Sequence, residues 1–214
     1  MTAECIIFDL DGTLADTLPD LVLAVNGMRA EFNLAPLSKQ IVASYVGNGF
    51  EKLLERSLNG TGVTPDMARD VLREKFSGSL NQAGTLFPGV YEGLQALHKA
   101  GIRLALLSNK PEDFCKFILY DFGIGGFFDI IFGGSEEYPL KPDPSGALAI
   151  LEFAGVRNRE NVWILGDSAV DLETGRRAGL STAFAAWGYG TPGKETYLQR
   201  FETFGAFTDF ILGN

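Results

Sequence analysis

The stretch CIIFDLDGTLADTLPDL, residues 5–21, decides the fold of this chain. It opens with four apolar residues rich in β-branched and aromatic side chains, which predicts a buried strand within residues 4–10. Two carboxylates, Asp9 and Asp11, follow at once with a single leucine between them. Acids placed at the end of a buried strand need a partner, and the rest of the sequence indicates which one.

The pattern changes from strand to helix after residue 16. Apolar residues recur at steps of three and four from Leu18 onward, which predicts an amphipathic helix. Further helices are predicted over residues 39–46, 50–58 and 65–80, the last with Thr64 as its N-cap and a proline in its first turn. No strand is predicted between residues 16 and 82, so this stretch is expected to form an all-helical insertion.

Strands and helices alternate in the second part of the chain. Alternation of this length predicts right-handed crossovers and a parallel sheet covered on both faces. The predicted helices cover residues 91–100, 113–122, 144–154 and 171–178, and the predicted strands cover 102–107, 130–132, 161–165 and 182–186. The expected fold class is therefore α/β. Its Rossmann-like parallel core spans residues 1–15 and 83–214, and its small all-helical domain spans residues 16–82.

Polar residues follow three of the predicted strands. Asp9 and Asp11 follow the first, Ser108 to Lys110 follow the second, and Gly166 to Ser168 follow a later one. Ligands of open α/β sheets bind outside the carboxyl ends of the strands, which predicts that these residues share one site. The alternative is three unrelated turns and caps, in which these residues serve only as local backbone acceptors.

Clustered carboxylates indicate a hard cation, and their oxygen ligands favour magnesium (Mg²⁺). Zinc is not expected, because the single histidine, His98, lies in a predicted surface helix. Lys141 stands just before the helix that begins near Pro144. Metal, lysine and helix N-termini together predict a positive pocket that suits phosphate.

The overall charge excludes several classes of partner. The net charge of −9 argues against nucleic acid and against an anionic membrane surface, since both need a basic face. No apolar run approaches the roughly 20 residues that cross a bilayer, and no secretory signal is expected. Two cysteines form no disulfide framework, so the predicted location is the cytoplasm. Monomer and homodimer are both left open.

Four motifs in this order resemble the haloacid dehalogenase (HAD) superfamily of phosphohydrolases. They are DLDGT at residues 9–13, LLSNK at 106–110, KPDP at 141–144 and GDSAVD at 166–171. The resemblance covers nearly the whole chain, and it implies that the helical insertion is the small cap domain of that superfamily. It also implies a magnesium-dependent phosphomonoester hydrolase that works through an aspartyl phosphate.

The resemblance assigns a role to each motif residue. Asp9 is expected to be the nucleophile, and Asp11 the general acid and base. Ser108, Thr13 and backbone amides near Asn109 are expected to bind the phosphoryl group, and Lys141 to balance its charge. The expected magnesium ligands are Asp9, the backbone carbonyl of Asp11, and Asp167. Asp171 is expected to hold these ligands in place without binding the ion itself.

Several shorter strings, among them DTLPDL, FPGV and WGYG, resemble the phosphoglycolate phosphatase branch of the superfamily. The expected substrate is therefore 2-phosphoglycolate, a small phosphorylated metabolite. The alternatives are a phosphatase for another small ester or pyrophosphate, a phosphonate hydrolase, a sugar-phosphate mutase and a regulator that binds a phosphorylated ligand without catalysis. Asp11 argues against a phosphonate hydrolase, which has a small residue in place of the second acid.

Two basic residues in the insertion are candidates for recognising the leaving group. Lys52 and Arg56 lie one turn apart on the helix that follows the glycine-flanked turn 47–49, so they share a face. One of them, with the amides at the helix start, is expected to bind the substrate carboxylate when the cap closes. The alternative is a solvated basic face paired with Glu51 and Glu55.

Overall fold

The computed structural model describes residues 3–135, 137–156 and 158–213. Its central element is the strand predicted from the opening stretch, which covers Cys5–Phe8 and ends directly before Asp9. All four of its residues are buried, and parallel strands flank it on both sides. The predicted α/β class with a parallel sheet is confirmed.

The strands form one six-stranded parallel sheet and one short ribbon. Within the described ranges they are β1 Cys5–Phe8, β2 Ala15–Asp16, β3 Thr85–Leu86, β4 Arg103–Pro111, β5 Ile130–Gly134, β6 Val162–Gly166, β7 Ser181–Ala185 and β8 Gln199–Phe201. The sheet order is β5-β4-β1-β6-β7-β8, and β2 pairs antiparallel with β3. The α-helices are α1 Leu18–Glu31, α2 Lys39–Ala43, α3 Phe50–Leu58, α4 Pro65–Ser79, α5 Val90–Lys99, α6 Glu112–Asp121, α7 Ser145–Ala154, α8 Ala169–Ala178 and α9 Phe204–Leu212.

Helices cover both faces of the sheet, because alternate side chains of each strand point to opposite faces. Ile6 and Phe8 of β1 join a core cluster with α5, α6 and α9. Cys5 and Ile7 join a second cluster with α7 and α8. Both cysteines of the chain are buried free thiols. No helix in the described part of the chain is both long and apolar enough to cross a membrane.

The helices α1 to α4 pack around a hydrophobic cluster of their own. Leu21, Val25 and Met28 from α1 meet Leu72 and Phe76 from α4 in this cluster. The chain enters this helical layer through β2 and leaves it through β3, and the pairing of these two strands holds the two crossings side by side. The division into a core of residues 1–15 and 83–214 and a cap of residues 16–82 stays a prediction.

The predicted elements differ from the observed ones mainly at their ends. The strand predicted to end at residue 107 continues to Pro111, with a register shift against β5 between Leu107 and Pro111. Strands β2, β3 and β8 are not predicted from the sequence, because each has only two or three residues and only one of the three residues of β8 is buried. Thr64 precedes α4 as expected, but its side chain makes no capping hydrogen bond.

Candidate active site

Asp9, at the end of β1, forms a buried ion pair. The Nζ atom of Lys141 lies 2.9 Å from an oxygen of Asp9 and 2.6 Å from an oxygen of Asp171. Lys141 precedes α7 and Asp171 lies in the first turn of α8, so three separate segments meet here. The Lys141 side chain is only 3% exposed, and the two carboxylates compensate its charge in place of water.

Asp11, two residues further on, has different partners. The Nζ atom of Lys110 lies 2.9 Å from its Oδ1 atom, and the Thr17 hydroxyl donates a hydrogen bond to the same oxygen. The chain reaches Asp11 through a tight turn in which the amides of residues 13–15 all donate to the carbonyl of Leu10. Asp9 and Asp11 therefore line one cavity with separate ammonium partners.

Three acids form a group that fits a cation. Oxygens of Asp9, Asp167 and Asp171 all lie within 4.8 Å of one another, and all three residues are buried. One Asp167 oxygen accepts hydrogen bonds from the amides of Tyr189 (3.0 Å) and Gly190 (2.8 Å), while Asp171 accepts from the amide and hydroxyl of Ser168. These hydrogen bonds orient two of the three carboxylates.

Burial dominates the electrostatics of this group. It raises the pKa of Asp9 to about 6, with Asp171 and Asp11 adding to the effect and Lys141 opposing it. Burial, followed by the charges of Asp171 and Asp9, raises the pKa of Asp167 well above its usual range. Burial alone would lower the pKa of Lys141, but the two paired carboxylates outweigh it and raise that pKa.

The charge balance and the donor chemistry fit magnesium. Four carboxylates share the site with the ammonium groups of Lys110 and Lys141, an excess of two negative charges among these six side chains when all are ionised. Oxygen donors are the ligands that Mg²⁺ prefers. Asp171 is already engaged by Lys141 and Ser168, which suits the predicted supporting position behind Asp9 and Asp167.

The register shift in β4 brings consecutive residues to the site. Neighbouring side chains of a regular strand point to opposite faces, but Ser108, Asn109 and Lys110 all line the same cavity. The Asn109 amide nitrogen donates to the carbonyls of Lys141 (2.8 Å) and Gly47 (3.0 Å), and its oxygen accepts from the Lys141 amide (2.7 Å). Asn109 therefore fixes the backbone of Lys141 and contacts the helical layer.

The helical layer forms one wall of the cavity above Asp9 and Asp11. Its wall on the helical side is mainly apolar, made by Leu21, Val46, Phe50, Leu53 and Phe76 together with the turn glycines Gly47 and Gly49. Helix α4 is also tied to α6, since Arg73 pairs with Asp113 and Phe76 stacks on Phe114 at 5.0 Å between ring centres. The helical layer is therefore held against the site by contacts on both sides of the cavity.

The two predicted cap residues lie elsewhere in this structure. Lys52 pairs with Glu55 at 2.7 Å on the exposed surface. Neither Lys52 nor Arg56 lines the cavity. Arg56 donates to the Tyr45 carbonyl and to Asn48 (2.8 Å), and so holds the turn before α3. Their proposed role in binding a carboxylate stays a prediction.

Thr13, predicted to bind phosphate, is fully buried. Within the described residues its hydroxyl has no hydrogen-bond partner, and its carbonyl accepts from the indole of Trp187 at 3.0 Å. Its predicted role likewise stays a prediction.

The sequence places Lys110 at the site without indicating its role, and it does not place Thr17 or Tyr189 there. Lys110 and Thr17 both contact Asp11, and the Tyr189 hydroxyl lies 3.2 Å from the Thr17 hydroxyl. Lys110 follows Ser108 and Asn109 after the second predicted strand, and this position is the signal that places it at the site. No comparable signal marks Thr17 or Tyr189, whose roles arise from contacts between distant segments.

Comparison with known proteins places this site in a family. The model of the family described as haloacid dehalogenase-like hydrolase matches residues 6–185. A phosphoglycolate phosphatase of Pseudomonas putida is 36% identical over 86% of this chain and 70% of its own. One from Psychrobacter arcticus is 34% identical over 99% of this chain and 97% of its own.

Solved structures agree with these sequence matches. The structure of a protein from Haemophilus somnus, described as a predicted phosphoglycolate phosphatase, superposes with a TM-score of 0.88 at 28% identity. The superposition covers 99% of this chain and 98% of that one.

Proposed function

Because this chain belongs to the haloacid dehalogenase-like hydrolases and is a phosphatase of that family, we propose that it is a magnesium-dependent hydrolase of 2-phosphoglycolate. The observation that carries this proposal is the pair of acids after β1. Both acids line the cavity, but Asp9 pairs with Lys141 and belongs to the buried acid group, whereas Asp11 pairs with Lys110. One acid is thereby suited to attack and the other to proton transfer.

Asp9, the backbone carbonyl of Asp11, and Asp167 would hold Mg²⁺, with Asp171 orienting Lys141 behind them. When bound, the ion would neutralise phosphoryl oxygens and lower the cost of bringing an anion to a site rich in acids. Lys141 would also neutralise charge on the phosphoryl group. Ser108 and the amides near Asn109 would complete the binding of the phosphoryl group.

The chemistry then follows from the two acids. A carboxylate oxygen of Asp9 attacks phosphorus and forms an aspartyl phosphate, while the bond from phosphorus to the ester oxygen breaks. Asp11 gives its proton to that departing oxygen, and glycolate leaves. Asp11 then takes a proton from a water molecule, which attacks phosphorus, releases inorganic phosphate and restores the Asp9 carboxylate.

The helical layer would act as a cap that closes over the leaving group. We propose that residues 16–82 form this cap, with hinges near residues 15–17 and 82–85, where β2 and β3 carry the two crossings. Closure would exclude water from the aspartyl phosphate until glycolate has left. The mainly apolar wall supports a small leaving group with few hydroxyls.

The choice of 2-phosphoglycolate is supported by the two curated relatives, each of which is named a phosphoglycolate phosphatase. We further propose that the protein acts in the cytoplasm, as a monomer or a homodimer.

The proposal is tested by a phosphate-release screen over small phosphomonoesters, with Mg²⁺ and with a chelator. We expect the highest kcat/KM for 2-phosphoglycolate and no turnover in the chelator. If another ester is turned over with a kcat/KM ten times higher, the choice of substrate is wrong. If activity persists in the chelator, the metal assignment is wrong.

A further inference from the structure

Lys110 is a buried cation with unused hydrogen-bonding capacity. Its side chain is 2% exposed, and its Nζ atom lies 2.9 Å from Asp11. An ammonium group carries three N–H donors, yet Asp11 is the one acceptor that Nζ contacts within residues 3–135, 137–156 and 158–213. The Phe76 ring, 4.7 Å from Nζ, offers a weaker cation–π contact. Leaving buried N–H donors unpaired is costly, so a second anion at this position would be favourable.

The position of Lys110 differs from that of the other buried lysine. Lys141 already pairs with two carboxylates, Asp9 and Asp171. A further anion would therefore stabilise Lys141 less than it would stabilise Lys110. Lys110 is the one cation among the described residues that line the cavity above Asp9 and Asp11. An anionic group on a ligand in this cavity therefore has one side chain to bind.

We propose that Lys110 is the residue that binds the carboxylate of the substrate. This inference rests on the proposed function and assigns to the sheet a role that the sequence predicted for the cap. Asp11 must lie beside the ester oxygen to protonate it, and Lys110 holds Asp11 by direct contact. In 2-phosphoglycolate one CH₂ group separates the ester oxygen from the carboxylate, so a cation adjacent to Asp11 is within reach of it.

The cavity also limits the class of substrate. The side chains facing Lys110 from the helical layer are apolar and include Phe50, Leu53 and Phe76. A sugar hydroxyl placed against this wall would lose its hydrogen bonds to water without replacement, at a cost in binding. The geometry therefore favours phosphate esters of short 2-hydroxy acids over sugar phosphates.

The test compares 2-phosphoglycolate with ethyl phosphate, which has a methyl group where the carboxylate stands. Lys110→Met removes the charge and keeps the approximate length of the side chain. A charge-assisted hydrogen bond of the usual strength predicts that the ratio of the two kcat/KM values falls roughly 10- to 150-fold. The ratio cancels any general loss that follows from a displaced Asp11.

Lys116→Met is the matched control, because Lys116 lies on the surface of α6 and pairs with Glu112 outside the cavity. It should leave the ratio unchanged. Lys110→Gln serves as a second variant if Lys110→Met does not fold, as judged by circular dichroism, and it should lower the ratio in the same direction. Lys52→Met and Arg56→Met test the competing assignment to the cap.

The outcomes separate the two proposals. If the wild-type enzyme hydrolyses both esters equally well, 2-phosphoglycolate is the wrong substrate and the role of Lys110 falls with it. If the wild type prefers 2-phosphoglycolate and Lys110→Met keeps that preference, the proposed substrate stands and the role of Lys110 is wrong. A collapse of the ratio in Lys52→Met or Arg56→Met alone assigns the carboxylate to the cap instead.

Discussion

At the scale of single residues, two acids with similar positions in the sequence have different surroundings. Asp9 is enclosed by Lys141 and the acid group, whereas Asp11 contacts Lys110 and a hydroxyl from the start of α1. Similar side chains acquire separate chemical roles when their environments differ in charge and burial. Substitutions that remove only the charge should therefore have different consequences at the two positions.

Asp9→Asn should retain the fold and lose almost all activity, on the order of 10⁶-fold in kcat, because an amide does not attack phosphorus effectively. Phosphate release measures the loss, and circular dichroism checks the fold. Fluoroberyllate, which mimics an acyl phosphate, should bind to Asp9 in the wild type. Substantial turnover by a well-folded Asp9→Asn variant would contradict the proposed mechanism.

Asp11→Asn and Asp167→Asn should separate proton transfer from metal binding. Asp11→Asn is expected to lower kcat by roughly 10²- to 10⁴-fold and to leave Mg²⁺ affinity largely intact, because the proposed ligand there is a backbone carbonyl. Asp167→Asn should weaken Mg²⁺ binding more, since it removes a ligand charge. Isothermal titration with Mg²⁺ measures both affinities, and the reverse order would refute the assignment.

At the scale of the elements, the loops after the strands are shaped around the carboxylates. A side chain on Gly12, in the loop after β1, would overlap with the Asp167 carboxylate, and so would one on Gly188, in the loop after β7. The same β7 loop supplies the Tyr189 and Gly190 amides that bind Asp167. The loop sequence therefore matters because it leaves room for Asp167 and orients it.

Gly188→Ala should displace Asp167 and weaken Mg²⁺ binding, because the added methyl group cannot be accommodated beside the carboxylate and the Gly12 carbonyl. We expect a loss of at least about tenfold in Mg²⁺ affinity by isothermal titration, the scale of losing an orienting contact at a metal site. Gly78→Ala is the control, since Gly78 lies in α4 with open space around it. Equal Mg²⁺ affinity in both variants would show that the loop accommodates the methyl group without displacing Asp167.

At the scale of the whole molecule, a chain of net charge −9 concentrates four carboxylates at one edge of its sheet. The site can bind an anionic substrate only where Lys110, Lys141 and a metal ion offset that charge locally. Three of these carboxylates are buried, which strengthens each interaction between charges at the site. Metal binding should consequently contribute to stability as well as to activity.

Mg²⁺ should raise the melting temperature, and more so at pH 7.5 than at pH 4.5. The folded-state pKa of Asp9 is raised to about 6 from 3.8, so between these values the folded protein binds more protons than the unfolded one. The metal-free protein therefore loses stability as pH rises through this range, and the loss is complete above the folded pKa. Above the folded pKa, Mg²⁺ offsets the buried negative charge of Asp9, whereas at lower pH protons compete with the ion.

At about 100 times its dissociation constant, Mg²⁺ should add about 2.7 kcal/mol to the free energy of unfolding, roughly 5–10 °C for a chain of this length. Thermal melts in chelator and in Mg²⁺ measure the increment. Sodium chloride of equal ionic strength controls for general screening, and Asp167→Asn should lose most of the increment. An increment that is equal at both pH values would show that the buried acids do not control metal binding.

The sequence by itself determined the α/β class, the strand directly before Asp9, and the gathering of Asp9, Lys141 and Asp167 at one edge. These features follow from local rules, because apolar periodicity sets each element and parallel strands bring their carboxyl ends together.

Only the tertiary structure decided which cation faces the cavity. The register shift in β4 turns Lys110 toward Asp11, while the packing of α3 leaves Lys52 in solvent. Lys110 belongs to the LLSNK motif and Lys52 follows the glycine-flanked turn 47–49, but the direction of each side chain depends on contacts between segments far apart in the chain. Such contacts leave no periodic pattern in the residues themselves.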